Sequence, residues 1–108
     1  MHLIKVEKDQ EVLATIGEAV ANLGVTNGSL TLIGAVHEAR VSVMHRDDAM
    51  VDRMRSYAQP FEMSGTGEIV NGEVHIHAWL AGEDLIVAGH AHELWVRDFF
   101  VRAYLNPL

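Results

Sequence analysis

The sequence predicts an α+β fold: an antiparallel β-sheet built largely from consecutive hairpins, with one main helix packed on one face. Three observations lead there. From Phe61 to His92 the chain alternates apolar and polar residues through two turn signals, the period-two pattern of strands joined as hairpins. That alternation leaves one sheet face apolar and in need of cover. A single stretch with helical period, Val12 to Leu23, is available to cover it.

Taken in order, Leu3 to Val6 reads as a short first strand. Asp9 is placed to cap the helix of about residues 10–23, and Glu11 suits the positive end of that helix. Val12, Leu13, Ile16, Ala19, Val20 and Leu23 recur at helical spacing, and Gly24 follows as the residue that ends it. Thr26-Asn27-Gly28-Ser29 is a turn. Leu30, Leu32, Ala35 and Val36 then open a strand, with a bulge or close backbone approach expected at Gly34. From His37 the residues alternate, with His37, Ala39, Val41, Val43 and His45 on one side. Arg46 to Gln59 alternates in charge sign and has a weak helical period, so a short exposed helix or a structured loop is expected. Pro60 puts the start of the next strand at an edge or entry position.

Hairpin register decides which side chains meet. Asn71-Gly72 signals a two-residue turn because both residues tolerate positive φ. Val70 then faces Glu73, Glu68 faces His75, Thr66 faces His77 and Ser64 faces Trp79. Across the second turn, Ala81 to Asp84, the expected pairs are Leu80 with Leu85, His77 with Ala88 and His75 with His90. One face thus gathers Ser64, Thr66, Glu68, His75, His77, Trp79, His90 and His92, including four of the seven histidines. The other gathers Met63, Ile69, Val74, Ile76, Leu80, Val87 and Ala91. A last strand is expected from Leu94 to Leu105. Its aromatics, Trp95, Phe99, Phe100 and Tyr104, exceed what one small sheet covers and suggest a partner surface.

Composition narrows the chemistry. The 108 residues suit one domain, 1–108. No cysteine is present, so any metal must be held by histidine and carboxylate. No run approaches about 20 apolar residues, and charge follows the N-terminus too soon for a signal peptide; a cytoplasmic protein without a membrane span is expected. A net charge of -7 with eight Lys and Arg works against independent DNA binding, which draws much of its affinity from phosphate contacts.

His75, His77 and His90 form the sharpest constellation. Three neutral imidazoles can hold zinc and leave a fourth position open. Spacing alone leaves two readings, a metal site or histidines displayed on a strand for other reasons. Glu68, opposite His75, could add a ligand, orient an imidazole from behind, or act as a general base. His92 lies two residues beyond His90, at the periphery. His37 reads either as a further imidazole near the site or as a half-exposed strand histidine. Glu62 sits on the same face near the sheet's end. There is no H-E-x-x-H, no Gly-rich phosphate loop and no cysteine nucleophile, and nothing local activates Ser42 or Ser64.

These residues carry a resemblance. Phe61-Glu62-Met63, Gly67, Ile69, Val74-His75-Ile76-His77-Ala78, Leu80 and Gly89-His90 resemble the motifs of the PPC domain, named for plants and prokaryotes. Ile33-Gly34-Ala35-Val36 is similar to the family's upstream Gly-Ala-Val segment. Two departures stand out: Ala88-Gly89-His90-Ala91 replaces the frequent Gly-Gly-His-Leu, and Phe99-Phe100-Val101 falls where Thr-x-Glu is common. The resemblance implies a homotrimer and an interaction module. It also implies a divalent metal, zinc by ligand type, at His75, His77 and His90, since some members are metal-bearing at the matching histidines. In plant relatives the segment matching Glu62 serves protein contact and a fused AT-hook holds DNA; no such hook is present here. Two function classes follow. One is a non-enzymatic regulatory or DNA-associated module, acting through protein partners and binding DNA weakly by itself. The other is a zinc-dependent hydrolase or lyase using a three-histidine site and bound water.

Overall fold

A computed structural model describes residues 1–108. The elements run β1 (His2–Val6), α1 (Val12–Leu23), β2 (Gly28–His45), β3 (Asp48–Val70), β4 (Glu73–Ala81), β5 (Ile86–Trp95) and β6 (Val101–Pro107). All six strands join one antiparallel sheet in the order β1-β6-β2-β3-β4-β5, and β5 closes back on β2. The α+β class, with one helix on an antiparallel sheet, is as the alternation predicts. The helix is too short to span a membrane.

β2 organises the sheet. Along one edge it pairs with β3 from Gly28 to His45. Along the other it pairs with β6 over Gly28–Gly34 and with β5 over Glu38–Ser42. Where β5 meets β2 the backbones lie very close: a Cβ on Gly89 would sit 2.6 Å from the Ser42 carbonyl oxygen. Glycine is therefore what lets β5 close the sheet. At Gly34 the expected close approach is present, since a Cβ there would lie 2.1 Å from the Phe100 carbonyl oxygen.

The apolar face is covered as its pattern requires. Val12, Ile16 and Val20 of α1 are fully buried in one core with Ile76, Leu80 and Leu94. Each such side chain contributes about 1.5–3 kcal/mol relative to exposure. The helix ends on Gly24 in the left-handed conformation, φ 70°. Its start differs from expectation. Asp9 lies in a turn at φ 63°, and Glu11 is the cap, accepting from Leu13 N (3.1 Å) and Ala14 N (2.8 Å). The same carboxylate accepts from Leu94 N at 2.9 Å, tying the helix to β5.

The first hairpin has the predicted register, with Glu68 opposite His75 and Thr66 opposite His77, over a turn in which Asn71 and Gly72 both have positive φ. The second does not. Its loop is Gly82 to Leu85, closed by Gly82 N donating to Leu85 O at 2.8 Å, so Leu80 pairs with Val87 and His77 with His90. The ladder is displaced by two residues, an even number, and every side chain keeps its face.

Two segments depart further. Arg46 to Gln59 is neither helix nor loop; from Asp48 it belongs to β3, and with the end of β2 it makes a projecting two-stranded arm. Both arm faces are solvated, so no in–out alternation marks it as strand. Pro60 falls at the irregularity between Val36 and Glu38, where it owes no ladder hydrogen bond. The expected last strand is two: β5 and β6 follow one edge of β2, and Val96 to Phe100 loops away between them.

Candidate functional site

β4 and β5 place the histidines on the outer face of the sheet, opposite α1. His77 and His90 are direct cross-strand partners with ring centroids 5.7 Å apart. His75 lies two residues along β4, its ring 6.4 Å from His90. His92 is nearer still, 4.9 Å from His90, and so belongs to the cluster. Its Nε2 shares a 2.8 Å hydrogen bond with Ser42 Oγ. Ser42 is a buried polar residue brought here by the β2–β5 pairing, which no local pattern in the sequence announces.

Electrostatics favour the ligating form of the central ring. The His90 pKa is lowered, first by burial and then by the neighbouring imidazoles of His92, His77 and His75; Asp52, on the arm, opposes this. His90 therefore stays neutral to lower pH than a free imidazole, and metals bind the neutral imidazole. His75 Nε2 lies 3.8 Å from Glu73 Oε2. Glu68 lines a shallow cavity of about 250 Å³ with Thr66, Gly67, His75 and His77, so the cluster opens to solvent beside a carboxylate.

The donor set can be tested against zinc. Bonds of about 2.0–2.1 Å to a shared tetrahedral ion put imidazole centroids roughly 5 Å apart. Within His75, His77 and His90 the separations to the central ring are 6.4 and 5.7 Å, both wider than that; only His92, at 4.9 Å from His90, is as near. As the side chains stand, no three His, Asp or Glu groups converge as a metal-holding set. The donor types, neutral imidazoles without thiolates, are ones zinc accepts, and side-chain rotation would be needed to bring three of them onto one ion.

The remaining candidates lie elsewhere. His37 sits outside the cluster, its Nε2 3.2 Å from Asp98 Oδ2 and its Nδ1 buried without a partner. Glu62 pairs with Ala35 and Ala81 at the far end of the outer face. With His37, Glu83, Asp84 and Phe99 it lines a larger cavity of about 680 Å³.

Comparisons with known proteins bear on the family and the fold. Residues 1–100 match the model of the Plants and Prokaryotes Conserved (PCC) domain. None of the curated proteins matches the sequence. Among solved structures, a Ralstonia eutropha protein provisionally described as DNA-binding is 19% identical with a TM-score of 0.85, over 98% of this chain and 76% of that one. The metal-containing protein from Archaeoglobus fulgidus is 20% identical with a TM-score of 0.83, over 98% of this chain and 78% of that one. An acetolactate decarboxylase from Bacillus subtilis is similar at 10% identity and a TM-score of 0.67, over 98% of this chain and 53% of that one. At these identities the likeness is one of fold.

Proposed function

Because the chain belongs to the Plants and Prokaryotes Conserved (PCC) domain family, we propose that it is a non-enzymatic regulatory or DNA-associated interaction module. It assembles as a homotrimer and holds one divalent ion, zinc by ligand type, at His75, His77 and His90. The observation that carries the metal is the gathering of four imidazoles on one exposed sheet face, with the central one kept neutral. Nitrogen donors without thiolates suit zinc among the available divalent ions. The metal-containing description of the Archaeoglobus fulgidus protein supports the same reading. Assembly is supported by the large apolar side chains left in solvent, among them Met50 on the arm and Phe99. The acidic charge leaves direct DNA contact weak, so any DNA association runs through partners.

A second reading has its own support. The cluster opens beside Glu68, and the fold is shared with an acetolactate decarboxylase. A zinc ion there would supply Lewis-acid chemistry in a hydrolase or lyase, with Glu68 positioned to hold or move a proton. Elemental analysis and light scattering test the proposal together. One ion per chain is expected, lost in His77→Ala and kept in His2→Ala, in a particle of three chains. A mass near the 11.9 kDa monomer ends the trimer. Failure to take up zinc, nickel, cobalt, iron or manganese at neutral pH ends the metal site, and the enzyme reading with it.

A further inference from the structure

The β2–β3 arm exposes two unlike faces. β5 pairs with β2 only as far as Ser42, so from Val43 onward the ribbon has no strand partner on that edge, although Val87 and Ala88 still border a cavity with Val43. Val43 lies opposite Arg53 and Val41 opposite Arg55. Alternation adds Val51, giving an arm face of valines and arginines without a carboxylate among these residues. This face continues the core side of the sheet, since Val41 is buried, yet Val43 and Val51 remain 46% and 43% exposed. The opposite face carries Met44, Asp52 and Met54.

At the other end of the outer face lies a groove of complementary character. Ile33, Ser64 and Trp79 align across β2, β3 and β4, with Glu62 and Ile86 one step along. They line a cavity of about 250 Å³ with no Lys or Arg in its lining; Arg102, the cross-strand partner of Ile33, flanks it on the side away from Glu62. Ile33, Trp79 and Ile86 are 57%, 52% and 77% exposed, and Glu62 also borders the cavity holding Glu83 and Asp84. An apolar floor beside carboxylates suits a ligand of aliphatic side chains beside cations.

The arm cannot reach its own groove. Arg53 and Glu62 lie on one continuous strand, nine positions apart, which is roughly 30 Å of rigid ribbon. We propose that the Val43–Arg53 face of one copy's arm packs into the Glu62–Trp79 groove of a second copy, head to tail around the assembly. Such a contact joins two different surfaces and closes as a ring, so it accommodates an odd number of copies. It rests on the homo-oligomer proposed above and specifies which surfaces meet.

Charge exchange tests it by light scattering at dilute concentration. Glu62 and Arg53 are both exposed, so their replacement leaves the core intact, with circular dichroism as the check. Glu62→Arg and Arg53→Glu should each lower the mass from three chains toward the 11.9 kDa monomer. The double variant carrying both changes should recover the trimer, and Arg53→Lys should keep it. Single variants that stay trimeric overturn the contact while the trimer stands, and leave the groove to a partner of other sequence. A double variant that stays monomeric also overturns it. A monomeric wild type removes both the trimer and this contact.

Discussion

Replacing Glu11 by alanine should cost more than any exposed carboxylate of this chain. Its side chain accepts three backbone N–H groups: Leu13 N at 3.1 Å, Ala14 N at 2.8 Å and Leu94 N at 2.9 Å. The first two are the helix cap, and loss of a cap costs about 0.5–2 kcal/mol. The third leaves a fully buried residue's amide without its charged acceptor, about 1.5–3 kcal/mol. The parts share one carboxylate and are not fully additive, so about 3 kcal/mol is expected. Urea unfolding measures it. With a slope of about 1–3 kcal/mol per molar, the midpoint should fall by about 1–3 M. Glu11→Gln keeps an oxygen acceptor and should recover part of the loss. Asp9→Asn, which tolerates the φ of 63°, weakens only an exposed contact to Arg97 and should cost at most about 1 kcal/mol. A Glu11→Ala loss below about 1 kcal/mol, or one equal to that of Asp9→Asn, refutes the reasoning.

Gly34→Ala forces a Cβ onto the Phe100 carbonyl, backbone against backbone, and should lower the thermal midpoint steeply; Gly72→Ala, with open space around it but φ 81°, should lower it only modestly. A pH dependence follows from His90. Its pKa is lowered by burial and then by the neighbouring imidazoles, so the unfolded chain takes the proton first as pH falls. Its contribution to stability is therefore complete above about 6.5 and declines as pH falls through the lower folded-state value. Thermal melts of the metal-free protein between about pH 7.5 and 5 should show that slope, and His90→Gln should flatten it. DNA binding by the isolated chain should be weak and without sequence preference, as fluorescence anisotropy at physiological salt can measure; tight, selective binding of a duplex contradicts it.

What the sequence discloses follows from which interactions are local. Asn71-Gly72 sets its hairpin by turn geometry alone, so the pairing of Glu68 with His75 was legible. The second turn has no such pair, and its loop begins at Gly82 instead of Ala81; the faces were readable, the cross-strand partner of His90 was not. The arm hides because both its faces meet solvent, which removes the alternation that identifies a strand. Glu11 takes the cap position from Asp9 because the helix begins at Val12, and its carboxylate also reaches Leu94, a partner 83 residues away. For the same reason nothing in the sequence ties Ser42 to the histidines: its partner His92 arrives only when Gly89 lets β5 close on β2.

The histidine face carries the proposed function, and X-ray absorption at the zinc edge of zinc-loaded protein examines it most directly. One ion per chain is expected, with a first shell containing three imidazole nitrogens at about 2.0–2.1 Å, and loss of that shell in His77→Ala. A first shell of oxygens, or zinc that stays bound and unchanged in His77→Ala, contradicts it.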